Sequence, residues 1–272
     1  MGVIFTRKGL ETTASFEATL INITCNALLL WPISLAHAPP RELLNPALLF
    51  FVLAGVFVPC VSRVLNFIGY VRLGVSITQA FYSTHPIFAV AIAVLFLGER
   101  PSLWVLLGVL IVAAGLVCLA AVQGAGKITR MNDVLYPLGA AALLGARDVL
   151  ARFALAWVAA AEMGGAVAAS TSAVILWAYA LGVRRQPLRL VTPGFRMLVG
   201  SGVAWGISYA FMFNAFKAGP IYVVSPVLAT IPLYTLGLSL LFLRRLEIIT
   251  RRIVVGTALV VLGVILISLA RT

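Results

Sequence analysis

The chain has 272 residues, 62% of them hydrophobic and 10% charged, and 20 Lys+Arg against 8 Asp+Glu give a net charge of +12. A soluble domain carries about 25% charged residues, and a mean hydropathy of +1.09 leaves too little polar surface to cover a ball folded in water. A soluble enzyme, a disordered tail and a secreted disulfide scaffold are excluded, and the basic excess reads as cytoplasmic loop charge rather than as a nucleic-acid surface.

A bilayer core takes about 20 largely uncharged residues per helix. In chain order the uncharged stretches are 18–40, 43–62, 73–98, 101–126, 163–183, 197–216, 218–243 and 253–270, eight candidate helices. A ninth runs over 135–157 and carries Arg147, Asp148 and Arg152. Turn chemistry separates them: Ala38-Pro39-Pro40, Gly124-Ala125-Gly126, Gly182 and Gly219-Pro220. Apolar runs this long exclude a transmembrane barrel, whose strands alternate over about ten residues. Cys25, Cys60 and Cys118 lie in apolar stretches with no pairing or metal-ligand spacing.

The chain resembles itself. At an offset of 146, Ser62 falls on Ser208, Phe67 on Phe213, Thr84-x-Pro86 on Thr230-x-Pro232, and Leu95-Phe96-Leu97 on Leu241-Phe242-Leu243. At 145, Arg7 meets Arg152 and Glu17 meets Glu162; at 148, Gly108 meets Gly256 and Gly115 meets Gly263. The second half reads as five helices: 134–156, 161–183, 197–216, 221–243 and 252–270. The first reads as four: 18–36, 46–70, 75–97 and 103–122, with the opening helix surviving as Gly2-Val3-Ile4-Phe5-Thr6 before Arg7. Five is odd, so consecutive repeats take opposite orientations, a design of secondary transporters with the substrate site at the midplane. The fold expected is an all-α polytopic membrane protein of two inverted five-helix repeats, residues 1–123 with four spans and 132–272 with five, nine spans of ten. The repeat also predicts that roughly 15–20 apolar residues precede residue 1 in the natural reading frame.

The stretch Leu95-Phe96-Leu97-Gly98-Glu99-Arg100-Pro101, followed by Leu106-Leu107-Gly108 and Ala114-Gly115-Leu116-Val117, resembles the signature of EamA-like transporters of the drug/metabolite transporter superfamily. Arg7-Lys8-Gly9 after a first helix, and Pro86 midway along a helix, are similar to that family too. The resemblance covers nearly the whole chain and implies ten helices, two EamA domains and transport of small metabolites, often amino acids. The second repeat departs from it: Leu-Gly-Glu becomes Leu243-Arg244-Arg245, with Glu247 displaced.

The polar minority inside helices is where function is sought, because a polar group in lipid needs a partner or a watered cavity. Arg63, with Asn66 and Tyr70 on the same face, either faces a cavity and pairs with a substrate carboxylate or snorkels to the interface. Gln79, Tyr82, Ser83 and Pro86 share the next helix face, and proline frees a carbonyl for a ligand or only kinks the helix. His85 beside it either titrates near neutrality or packs. Tyr209, Ser225, Thr230 and Pro232 complete the substrate-pocket candidates. Asp148 and Arg152, spaced i, i+4, read as a pair within one helix while Arg147 projects elsewhere; these three are the coupling or gating candidates. Glu17 and Glu162 suit helix N-termini, and the small-residue runs 139–145 and 164–170 suit close helix approach.

No catalytic constellation, metal cluster or cofactor motif is legible, and an enzyme is not expected. The reading is a secondary transporter, an exporter or exchanger of a small polar metabolite such as an amino acid, working by alternating access in the cell (inner or plasma) membrane. The partners are a small-molecule substrate and the lipid bilayer, with a homodimer left open and no nucleic acid. A lipid-carrier flippase on the same fold, and further behind a membrane-embedded lipid or prenyl enzyme, are the alternatives. Counting charges on alternate sides puts thirteen Lys and Arg on one side and five on the other. The positive-inside rule then sets the N-terminus of this chain inside and its C-terminus outside, whereas the family resemblance implies both ends inside.

Overall fold

The computed structural model describes residues 2–73, 75–120, 131–184, 187–230, 234 and 251–270. Regular structure among them is helical throughout: α1 Gly2–Gly9, α2 Ser15–His37, α3 Leu48–Gly55, α4 Ser62–Leu73, α5 Val75–Tyr82, α6 His85–Leu97, α7 Leu103–Ala120, α8 Leu135–Leu155, α9 Ala161–Gly182, α10 Phe195–Ala218, α11 Ile221–Leu228 and α12 Arg251–Leu269. Among the described residues four helical segments are long and apolar enough to cross a membrane: Ser15–His37, Ala80–Leu97, Asn132–Leu155 and Ala161–Gly182. Large apolar side chains stay exposed on α6, α7 and α12, among them Leu95, Phe96, Trp104, Leu110 and Leu262. That surface suits lipid rather than water.

The helices fall into two compact units. The first holds residues 1–60 and 150–218. In it α2 lies against α9 and α10, α3 against α9, and α1 against α10. Leu20, Leu30, Phe51, Met163, Leu198, Phe213 and Phe216 are fully buried. The 164–170 run performs the close approach expected of it: Gly164 lies against the Phe51 ring and Gly165 against the Phe213 ring, and those two rings sit 5.9 Å apart. A Cβ at either glycine would occupy space that an aromatic side chain fills.

The span expected as one helix over 46–70 is broken. Pro59 has no N–H to give the Gly55 carbonyl, so α3 stops and Val58 takes an extended φ of −138° and ψ of 123°. The Gly55 carbonyl accepts a hydrogen bond from the Ser172 hydroxyl of α9 at 2.8 Å. Gly55 itself allows that approach, since a Cβ there would lie 2.5 Å from the Ala168 carbonyl oxygen.

The second unit holds residues 61–149 and 219–272. Helices α7 and α12 are packed backbone to backbone and run antiparallel. A Cβ on Gly108 would lie 2.9 Å from the Gly263 carbonyl oxygen, and one on Gly263 would lie 2.7 Å from that of Gly108. Gly115 and Gly256 stand in the same reciprocal relation, at 2.7 Å and 2.9 Å. Val105, Val109, Val112, Leu116, Val260 and Ile267 fill the seam around them. Close by, Gly145 of α8 meets the backbone of Ala89 in α6, and Ser62 of α4 donates to the Ala140 carbonyl of α8 at 3.1 Å.

The span expected over 75–97 is also two helices. Pro86 stands in the first turn of α6, where its missing N–H costs nothing, rather than midway along a helix. Ser83 and Thr84 form the turn between α5 and α6. The face expected to be shared by Gln79, Tyr82, Ser83 and Pro86 is therefore divided between two half-helices. At the repeat-equivalent position α11 ends at Leu228, and Ala229 and Thr230 turn in the same way.

Candidate functional site

Helices α5 and α11 end alike. The Thr84 hydroxyl donates to the Phe81 carbonyl at 2.6 Å, and the Thr230 hydroxyl donates to the Val227 carbonyl at 2.6 Å. Each hydroxyl joins its own residue's backbone amide on that carbonyl and closes the turn. Pro232, two residues past Thr230, lies outside the described residues, as do Leu241 to Leu243, Arg244, Arg245 and Glu247.

Helix α8 carries the charges of this region. Arg147 and Asp148 form an ion pair, Nη2 to Oδ1 at 2.7 Å, with Asp148 only 2% exposed and Arg147 9%. Asp148 Oδ2 accepts a hydrogen bond from the Ser225 hydroxyl of α11 at 3.0 Å. The His85 ring lies within electrostatic reach of both charges and is tilted against Tyr82 at 6.3 Å between centroids. Helices α6, α8 and α11 thus converge on one buried pair of opposite charges. Burying either charge alone would cost several kcal/mol, and pairing plus a hydrogen bond offsets that. Asn66 Oδ1 and Thr78 Oγ1, in the same unit, are buried and find no hydrogen-bond partner among the described residues.

The pair expected within α8 joined Asp148 to Arg152, and it does not form. Arg152 sits at the end of α8 and reaches the C-terminus of α10, donating to the Phe216 and Lys217 carbonyls at 2.7 Å and 2.6 Å. Unpaired carbonyls at a helix C-terminus carry partial negative charge and attract a cation. Asp148, far more buried, takes the nearer Arg147, which does not project elsewhere. Lys217 answers by donating to the Val158 carbonyl at 2.9 Å and to that of Ala159.

Glu17 and Glu162 stand in the first turns of α2 and α9. Neither is only a dipole partner. Glu17 is buried and paired with Arg184 at 3.0 Å, and Glu162 accepts from Asn214 at 2.7 Å.

Asn66, Tyr82, His85, Pro86, Ser225 and Thr230 all lie in the second unit with Arg147 and Asp148. Tyr209 lies in the first, packed on Phe213 at 6.0 Å and against Leu30 and Ala166. Arg63, Tyr70 and Gln79 fall in α4 and α5, and their side chains lie outside what is described.

The sequence reading quoted Glu99 in a motif and gave it no contact. Gly98 ends α6 in the left-handed region, at φ 65°, and turns the chain so that Glu99 reaches α11. Its Oε1 accepts from the Ile221 amide at 2.9 Å and its Oε2 from the Tyr222 amide at 3.2 Å. The signal was present in Leu-Gly-Glu, a helix-ending glycine followed by a carboxylate. The helix that this carboxylate caps lies 122 residues further along, and no local pattern names it.

Apolar helices of spanning length, the α5–α6 break and a buried charge pair point to a multi-pass membrane protein of the transporter class. The profile of the EamA-like transporter family matches residues 1–121 and 132–269, and the chain belongs to that family. Phosphoenolpyruvate/phosphate translocator 2, chloroplastic, of Arabidopsis thaliana is 28% identical over 97 residues, which cover 36% of this chain and 25% of that protein. The match thus spans a quarter of that relative's length. A solved crystal structure shares the fold with a TM-score of 0.80 at 17% identity, over 99% of this chain and 92% of its own. The family and the apolar helices together point to a multi-pass membrane transporter.

Proposed function

We propose that the protein is a secondary transporter of a small polar metabolite such as an amino acid, exporting or exchanging it across the cell membrane by alternating access. Its substrate site is the Arg147–Asp148 pair with Ser225, His85 and Tyr82, where half-helices from residues 1–123 meet helices from residues 132–272. The observation that carries this is the buried opposite-charge pair beside the α5–α6 break. Charged groups at lipid depth mark substrate or ion pathways, and a guanidinium next to a carboxylate offers one partner each to a dipolar solute. The inverted repeat is supported by the reciprocal Gly108–Gly263 and Gly115–Gly256 contacts and by the matching Thr84 and Thr230 turns. A two-fold relation makes each residue of one repeat meet the mate of its partner.

The decisive measurement is counterflow into proteoliposomes, with each internal solute tested against its labelled form outside. The panel holds neutral, acidic and basic L-amino acids, phosphoenolpyruvate and inorganic phosphate. Counterflow of an amino acid, lost in Asp148→Asn, is the result expected. The translocator relative motivates a second reading, exchange of an organic phosphate anion for phosphate, and the last two solutes test it. Movement of a fluorescent lipid analogue, with no solute moving, would replace both readings with a flippase.

A further inference from the structure

Helix α11 is eight residues long, about 12 Å at 1.5 Å per residue. Helices that short do not hold themselves in place, because nucleation costs more than so few bonds return. Its position must come from its ends. Its N-cap residue, Pro220, makes no side-chain cap and has no acceptor to offer. The first amides are instead taken by Glu99, one carboxylate oxygen on Ile221 and the other on Tyr222. Negative charge at a helix N-terminus also meets the favourable end of the dipole. Ile221 and Ser225 are four apart and share one face, so the end that Glu99 holds lies one turn above the hydroxyl that meets Asp148.

We propose that Glu99 is a positioning residue of the transport site, acting through α11 to hold the Ser225 hydroxyl on Asp148. The inference rests on reading the Arg147–Asp148–Ser225 cluster as that site. The tolerance is small. Ser225 Oγ stands 3.0 Å from Asp148 Oδ2, and a slip of α11 by one residue, about 1.5 Å along its axis, takes the pair beyond hydrogen-bond distance. Gly98 is part of the device, because its φ of 65° is a conformation that side-chained residues rarely adopt. Among the described residues Glu99 is the one side chain seen capping α11. At the repeat-equivalent position, 146 residues on, Arg245 stands where a carboxylate would be needed.

The test needs no knowledge of the substrate. Dicyclohexylcarbodiimide enters the bilayer and adds to protonated buried carboxyls, and the Asp148 peptide is quantified by mass spectrometry from purified protein in liposomes. Ser225→Ala removes the hydrogen bond, and labelling of Asp148 rises about tenfold, the scale of one hydrogen bond to a charged group. Glu99→Ala produces a rise of the same size, Glu99→Gln a smaller one because a single acceptor oxygen remains, and the Glu99→Ala/Ser225→Ala double variant no more than either single one. Such non-additivity marks two residues acting through one contact. Glu99→Gln, nearly isosteric, keeps the comparison available should Glu99→Ala lose its fold. Wild-type labelling in both Glu99 variants beside a raised Ser225→Ala overturns the proposal and leaves the site standing, as do effects that multiply in the double variant. Wild-type labelling in Ser225→Ala overturns the site reading and this proposal with it.

Discussion

At the scale of single residues the decisive fact is how α8 distributes its charges. Asp148 has two oxygens and uses both, one for Arg147 and one for Ser225. Removing one member of a buried pair leaves the other uncompensated, at about 3–5 kcal/mol. Asp148→Asn is therefore expected to lower the thermal stability of the detergent-solubilised protein and to abolish counterflow. Arg147→Met with Asp148→Leu, which removes both charges, should restore stability but not transport. Transport by that double variant would show that the pair is structural only. Arg63, in α4, carries a prediction from the sequence: Arg63→Ala and Arg63→Lys both impair counterflow while the protein still inserts. Lysine keeps the charge but loses the planar fork. Normal counterflow in Arg63→Ala would mean that this side chain snorkels.

At the scale of elements, glycine and proline set where helices touch and where they stop. Gly115 of α7 is so close to α12 that a Cβ would lie 2.7 Å from the Gly256 carbonyl oxygen and 2.8 Å from the Val260 nitrogen. Backbone atoms cannot move aside as a side chain does. Gly115→Val should part the two helices, at about 1–3 kcal/mol or more, and a melting temperature equal to the parent's would show that they do not meet there. The break at Pro59 makes a smaller, separate prediction. Ser172→Ala leaves the Gly55 carbonyl without its partner and should cost about 1 kcal/mol, read from the same melting curves. Gly55 was silent in the sequence because the donor that meets its carbonyl is 117 residues away. Pro59 by itself does not say whether a helix kinks, breaks or simply ends.

At the scale of the whole molecule two rules compete over orientation in the bilayer. Thirteen basic residues against five, with Arg184-Arg185 and Arg244-Arg245 at helix ends, favour the thirteen in the cytoplasm. For this chain that sets the N-terminus inside and the C-terminus outside. The family pattern of ten helices sets both ends inside. A C-terminal fusion to a reporter active only in the cytoplasm should stay silent if the charge count governs, and strong activity would restore the family topology.

Composition alone determined that this chain lives in a bilayer, because 10% charged residues cannot solvate a folded surface. The spacing of uncharged runs located most helices within a few residues, since a bilayer of fixed thickness demands a fixed length. The Leu-Gly-Glu stretch, together with the repeat marked by Thr-x-Pro, points to the EamA-like family through the residues themselves. What tertiary structure decided was pairing. Arg152 looked like the partner of Asp148 because i, i+4 spacing is the strongest local rule for charges on a helix. The choice went instead to burial and reach: Arg152 lies at a helix end, where the carbonyls of α10 are open to it, and Asp148 lies where Arg147 and Ser225 can follow it out of solvent. Glu99 was legible as a motif and illegible as a contact for the same reason. A carboxylate announces that it needs donors, but which amides supply them depends on how helices distant in sequence come together.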